Sequence, residues 1–158
     1  MDIQLDEKEV EEVLNEAINK LYIPHFEKLG MNASGQWKNN VEAMGTAIWG
    51  MDYTEYLAKG RSANSDQSPE AIKAWVGWAG STFIKQWLND KGLNLNPYAV
   101  AQNIARKGTT WKRKGGSDIL KFLNSDEFLE FFREGLRQKL GSKIANELYI
   151  YANLTFKR

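Results

Sequence analysis

Near the N-terminus, Val10, Val13, Leu14, Ala17, Ile18 and Leu21 recur at a three-and-four spacing that puts all six on one helical face. Asp6 followed by Glu9 has the form of a capping box, in which each side chain satisfies a free amide of the other's backbone. Pro24 then interrupts or bends the run. The pattern predicts a helix from about residue 7 to the low twenties, with room for a further turn toward Leu29. Gly30 to Gly35 reads as a loop. Gln36 to Met44 (QWKNNVEAM) alternates, with Trp37, Val41 and Ala43 on one side, which predicts a half-buried strand. Gly45-Thr46 supplies a turn, and Ala47 to Tyr56 (AIWGMDYTEY) has the aromatic and β-branched content of a second strand, interrupted by Gly50.

Arg61 to Gln67 (RSANSDQ) is small and polar without periodicity, a loop that is mobile or ordered by a partner. Ser68-Pro69-Glu70 starts a helix: a serine cap, a proline where the missing amide does no harm, and an acid at the positive end of the helix dipole. Ile72, Trp75, Val76 and Ala79 form its inward face. Gly80-Ser81 break it, and Phe83, Ile84, Trp87 and Leu88 restart the period until Gly92. Asn96-Pro97 caps another helix through Arg106, with Tyr98, Ala101, Ile104 and Ala105 facing in. Lys107 to Gly116 (KGTTWKRKGG) has no apolar period and reads as a loop. Ser125-Asp126-Glu127 opens the last helix, whose inner face runs Phe128, Leu129, Phe132, Leu136, Leu140, Ile144 and Leu148. Leu148 to Phe156 (LYIYANLTF) fits an extension of that helix, the better match, or a third strand. The fold class expected is α+β: a small antiparallel sheet packed by an N-terminal helix, several short helices and a long C-terminal helix, in one domain spanning 1–158.

Composition narrows the function classes. The 158 residues carry 21 basic and 20 acidic side chains, so no net field commits the chain to nucleic acid or an anionic membrane. Without cysteine there is no disulfide or thiol chemistry. No apolar run approaches the roughly 20 residues of a membrane span, and the first residues lack the form of a signal peptide, so a soluble protein made in the cytosol is expected. Six Trp, six Tyr and seven Phe suit a core, and equally surfaces buried against partners.

Candidate chemistry is sparse. His25, the only histidine, lies between Pro24 and Phe26 and reads as a partly buried or helix-end imidazole. No metal-ligand spacing, phosphate-binding glycine loop or nucleophile elbow appears in the sequence, so neither cofactor nor metal is expected and the chain reads as no enzyme. Asp52 and Glu55, on an extended strand, would face opposite sides. The sharpest local feature is basic: Arg106, Lys107, Lys112, Arg113 and Lys114, with Trp111 among them and no acid from Arg106 to Gly116. Such a loop suits contact with a partner first, simple solvation second, and DNA phosphates with Trp111 stacking third. A small nucleic-acid-binding module using residues 106–116 is the competing reading.

The stretch Gly50-Met51-Asp52-Tyr53-Thr54-Glu55-Tyr56-Leu57-Ala58-Lys59-Gly60-Arg61 resembles the aromatic-x-x-Tyr-x-x-Gly-Arg signature of head–tail joining (neck and tail-completion) proteins of tailed bacteriophages, with Tyr53, Tyr56, Gly60 and Arg61 as its signature residues. Ala101-Gln102-Asn103-Ile104-Ala105-Arg106-Lys107-Gly108-Thr109 resembles an Ile-Ala-Arg-Lys-Ile-x-x-x-Gly-Thr phrase of the same proteins, shortened before the glycine. The order of segments is similar over residues 7–150. The resemblance implies a strand and the start of a long loop at the signature. It also implies a structural protein of the virion, made in the host cytoplasm, that forms a homo-oligomeric ring in the head–tail connector or ends the tail tube. Its partners would be adjacent portal, neck or tail proteins, reached through loops 61–68 and 107–116, with Arg61, Arg106, Lys107, Trp111, Lys112, Arg113 and Lys114 as candidates for partner contact or for lining a DNA channel.

Overall fold

A computed structural model describes residues 4–155, with side chains as far as Ala152. In chain order the elements are α1 (Glu7–Ala17), a π-helical turn (Ile18–Tyr22), α2 (Ile23–Lys28), α3 (Gln36–Asn39), β1 (Glu42–Met44), β2 (Ala47–Trp49), α4 (Thr54–Lys59), α5 (Pro69–Ser81), α6 (Phe83–Asp90), α7 (Pro97–Lys107), α8 (Thr110–Arg113), a 3-10 turn (Phe122–Asn124) and α9 (Asp126–Thr155). This is the α+β class expected, with a two-stranded antiparallel sheet, short helices and a long C-terminal helix. The chain divides into two compact units. One draws on residues up to His25, on Val41–Trp49 and on residues from Lys121 onward; the other on Phe26–Asn40 and Gly50–Leu120.

The first unit is built on α1. Asp6 Oδ1 accepts from the Glu9 amide and Glu9 Oε2 from the Asp6 amide, both at 2.9 Å, so the capping box forms as written in the sequence. Pro24 acts one turn ahead of itself. Its ring and missing N–H disturb the carbonyls of the preceding turn, and the helix widens there, with the Ile23 amide reaching back five residues to Ile18 O. Val13, Leu14, Ala17, Ile18 and Tyr22 are buried, and Tyr22 and Phe122 stack with centroids 6.4 Å apart, with Phe128 edge-on to both. His25, half-buried, stacks on Phe122 at 4.0 Å.

The hairpin docks on the polar side of α1. Asn15 exchanges hydrogen bonds with the Ala43 backbone, and Glu11 Oε2 accepts from the Gly45 amide at 2.7 Å. Glu42 pairs with Trp49 and Met44 with Ala47, leaving Gly45-Thr46 as a two-residue turn. Gly45 at φ 61°, with no positive φ at Thr46, gives it the type II′ form that matches strand twist.

Helix α9 runs antiparallel to α1: Lys139 pairs with Glu12 at 2.6 Å, and Lys143 with Glu9 at 2.5 Å and with Gln4 O at 2.9 Å. The Lys143 hydrogen bond, helped by the Asp6 amide, holds the Glu9 carboxyl below the usual carboxylate range. There α1 ends. The stripe expected to face inward therefore splits: Phe128 is buried and Leu136 and Leu140 half-buried, whereas Ile144 and Leu148 are 40% and 57% exposed. Residues 148–155 continue the helix rather than making a strand; Phe156 lies outside the described residues.

In the second unit α5, α6 and α7 pack around Ala79, Ile84, Leu88 and Ala101, with Trp75, Val76, Val100 and Ile104 closing over them. Ser68 Oγ accepts from the Ala71 amide and Asn96 Oδ1 from Tyr98 and Ala99, so both expected caps form. Two strand expectations fail. Gln36–Asn39 is α3, leaving only Glu42–Met44 as strand, and the second strand stops at Trp49, with Thr54–Lys59 helical. Ser34 Oγ accepts from the Gln36 amide and Gly35 at φ 81° opens α3, while the Thr54 hydroxyl donates to Met51 O and closes a turn at the start of α4. Trp37, stacked on Phe26 at 4.0 Å, joins the two segments through Nε1, which donates to Thr54 Oγ1 at 2.9 Å. The strand implied at the Tyr53–Arg61 signature is thus a helix followed by extended chain. The loop expected over Lys107–Gly116 contains one helical turn, α8. Phe83 and Tyr98, expected inside, are 45% and 48% exposed, and Trp87 is also exposed.

Two glycines of α9 separate packing from helix propensity. At Gly135 a methyl would run into Val13 Cγ1, part of a stiff buried side chain; at Gly141 nothing lies within 4 Å. Gly135→Ala is expected to destabilise by about 1–2 kcal/mol although alanine is the better helix former, and Gly141→Ala to stabilise by up to about 1 kcal/mol, in urea unfolding. A second expectation concerns Tyr22, whose pKa burial pushes up to about 12. The unfolded phenol ionises near 10, so stability is complete below pH 10 and falls as pH rises from 10 through 12, where the unfolded chain releases its proton first. Tyr22→Phe should remove that part of the decline in unfolding midpoints measured across this window.

Candidate functional site: an aromatic groove

The second unit carries a groove of about 1010 Å³ lined by five of the six tryptophans, Trp37, Trp75, Trp78, Trp87 and Trp111, together with Phe26, Phe83, Tyr53, Tyr56 and Arg61. Helix α5 supplies its central wall because Trp75 and Trp78, three residues apart, share a face next to the buried Ile72–Ala79 face. Phe83 of α6 meets both edge-on, at 6.3 Å from Trp75 and 5.2 Å from Trp78. Trp78 stays 59% exposed and Tyr56 67%.

Arg61 lies over the Trp75 ring with Cζ 4.1 Å from the centroid. Its Nη1 donates to Ser62 O at 3.1 Å and its Nη2 to Asn64 Oδ1 at 2.7 Å. Burial draws its pKa down, but guanidinium stays cationic at neutral pH. Among the described residues no carboxylate pairs with it. Burial likewise raises the Tyr53 phenol above its ordinary value.

Arg61 is held by a close approach of two backbones. Its amide donates to Thr109 Oγ1 at 3.0 Å, the Thr109 amide donates to Arg61 O at 2.9 Å, and the Asn64 amide donates to Ala105 O at 2.7 Å. Gly60 (φ 69°, ψ 179°) and Gly108 (φ 74°, ψ 178°) take a conformation that is essentially closed to other residues. A methyl on Gly108 would lie 2.7 Å from Arg61 O, and one on Gly60 2.5 Å from Thr109 Oγ1 and 2.6 Å from Trp111 Cδ1. The Arg61–Gln67 loop is therefore anchored on the end of α7, with Gln67 Nε2 donating to Ala105 O.

The residues singled out from sequence divide into groups. Tyr53, Tyr56, Arg61 and Trp111 come together in the groove. Gly60-Arg61 and Gly108-Thr109, which end the two phrases quoted for the resemblance, meet through the hydrogen bonds above, although three residues separate Tyr56 from Gly60 where the signature has two. Arg106 lines a separate depression with Pro69, Lys73 and Tyr98. Lys112, Arg113 and Lys114 are exposed around α8, while Trp111 is turned in against Gly60, its Nε1 buried without a hydrogen-bond partner. Asp52 is exposed in the turn before α4, and Glu55 is drawn below its ordinary pKa by hydrogen bonding with Lys59 at 2.6 Å. Among the described residues no set of His, Asp or Glu is grouped to hold a metal ion, and no helix is long and apolar enough to cross a membrane. The groove itself was missed from sequence. Its signal was the i, i+3 pair Trp75/Trp78 beside a helix face already filled by Ile72, Val76 and Ala79.

Gly60→Ala and Gly108→Ala are each expected to lower stability by about 2–3 kcal/mol, since both force a forbidden backbone and a steric overlap. Gly30→Ala, at φ 68° but with open space around it, should lose only about 1 kcal/mol. Chemical denaturation followed by tryptophan fluorescence checks all three.

Comparison with known proteins finds no match of this chain to a family model, to a curated protein or to a solved structure.

Proposed function

We propose that this chain is a non-catalytic structural subunit that works by gripping other subunits, and that the assembly is the head–tail neck or tail end of a bacteriophage particle. The observation that carries the first part is the exposed continuation of the α9 stripe: past Lys143, Ile144 and Leu148 stand exposed on a helix of 30 residues, with Ile150 and Tyr151 exposed beside them. Apolar surface of this kind, concentrated on one element, marks an interaction site. The second part rests on the resemblance at Gly50–Arg61 and Ala101–Thr109. Lys112, Arg113 and Lys114, exposed and without acidic partners among the described residues, suit phosphate contact along a DNA channel.

Negative-stain images of the purified protein at high concentration should show closed rings; a monomer under all conditions would overturn the reading. Reversing the charge of Lys112, Arg113 and Lys114 together should leave the rings intact and weaken DNA retention by particles, whereas unchanged retention removes the channel role.

A further inference from the structure

We infer that the aromatic groove of one copy receives the exposed end of α9 from a second copy, an inference that rests on the subunit reading above and names its contact. Among the described residues two apolar surfaces stay exposed, and their shapes differ. The α9 end is a ridge: Ile144, Glu147, Leu148 and Tyr151 follow the i, i+3, i+4, i+7 pattern and share one face. The other surface is concave, about 1010 Å³, and walled by Trp75, Trp78 and Phe83. A helix laid into an apolar groove is a recurrent mode of recognition, anchored by residues at this spacing.

Charge supplies the choice of occupant. Two cations line the groove, Arg61 and Lys91. Lys91 Nζ donates to Gly30 O, whereas Arg61 lies over the Trp75 ring and its described hydrogen bonds go to a carbonyl and an amide oxygen rather than a carboxylate. Glu147 is the sole charged residue from Ile144 to Thr155, and it lies within the apolar face. Laying Ile144, Leu148 and Tyr151 against the tryptophans would bring that carboxylate to a guanidinium that lacks one. A bidentate pair in such an apolar setting sets register as well as affinity. Because ridge and groove are different surfaces, the contact is heterologous: each copy offers one of each, and growth continues until the rotation closes.

The test uses the full chain in sedimentation velocity over a concentration series. Wild type should grow beyond a dimer. Trp78→Glu, which blocks the groove, and Leu148→Glu, which blocks the ridge, should each be monomeric, with circular dichroism and unfolding midpoints showing that they remain folded. Mixed together they should form a one-to-one dimer and stop there, since one intact ridge and one intact groove remain. Arg61→Glu and Glu147→Arg should each weaken association at least tenfold, and the double variant should recover most of it. If Trp78→Glu still assembles as wild type does, the ridges pair with each other and this inference is overturned while the subunit reading stands. If wild type never associates, both fall.

Discussion

The second unit depends on two stretches of backbone coming closer than side chains allow. Gly60 and Gly108 each end a helix in a conformation that only glycine adopts readily, and the chain leaving one runs against the chain leaving the other. Arg61 and Thr109 then exchange hydrogen bonds, and Asn64 closes onto Ala105. The end of α7 keeps carbonyls that its own helix cannot satisfy, and the 61–67 loop supplies donors to one of them, at Ala105. The approach also fixes the direction in which the arginine side chain leaves the backbone, and Ser62 O, Asn64 Oδ1 and the Trp75 ring hold its guanidinium. Ser117 closes a similar approach nearby, its amide and hydroxyl donating to Ala58 O and Leu57 O beside Gly116.

The groove follows from what the helices have left over once their core is filled. Ala79, Ile84, Leu88 and Ala101 are small or aliphatic and bring α5, α6 and α7 close together. Trp75 closes over that core, and Trp78 and Phe83 lie outside it, the three rings finding partners in each other and in Arg61. Edge-on aromatic contacts and a guanidinium over an indole stabilise such a surface by about a kcal/mol each while leaving much of it accessible. In the first unit the same logic applies to length. The helical run that begins at Glu7 lies against α9 from Phe128, beside Tyr22, to Lys143, beside Glu9, and the apolar stripe of the 30-residue α9 continues past that point. Surface that folding does not bury is surface left for association, about 25 cal/mol for each Å² removed from water.

How much was legible in the sequence depends on whether the signal was local. Caps were legible because they are chemistry over three or four residues: Asp6 with Glu9, Ser68 before Pro69, Asn96 before Pro97, Ser125 before α9. So were the Gly45-Thr46 turn, the stop at Gly92 and the α+β class, whereas the break expected at Gly80-Ser81 falls at Thr82, because Gly80 and Ser81 stay in α5. Two helices were missed because their apolar spacing fits two periods. Trp37 and Val41, like Tyr53 and Leu57, are four apart, which puts each pair on one side of a strand and equally on one face of a helix. The aromatic and β-branched content tipped both toward strand, and composition is the weaker guide where side-chain bonding intervenes.

By itself, then, the sequence determined the helix starts and stops, the hairpin turn and the residues able to fill a core, since each is settled by neighbours along the chain. Only the tertiary structure decided that Trp37 would bond to Thr54, that Gly60 would meet Gly108, and that the tryptophans of α5 and α6 would line a groove. Those outcomes join residues 17 to 48 positions apart, and no local period records which distant partner a side chain will find.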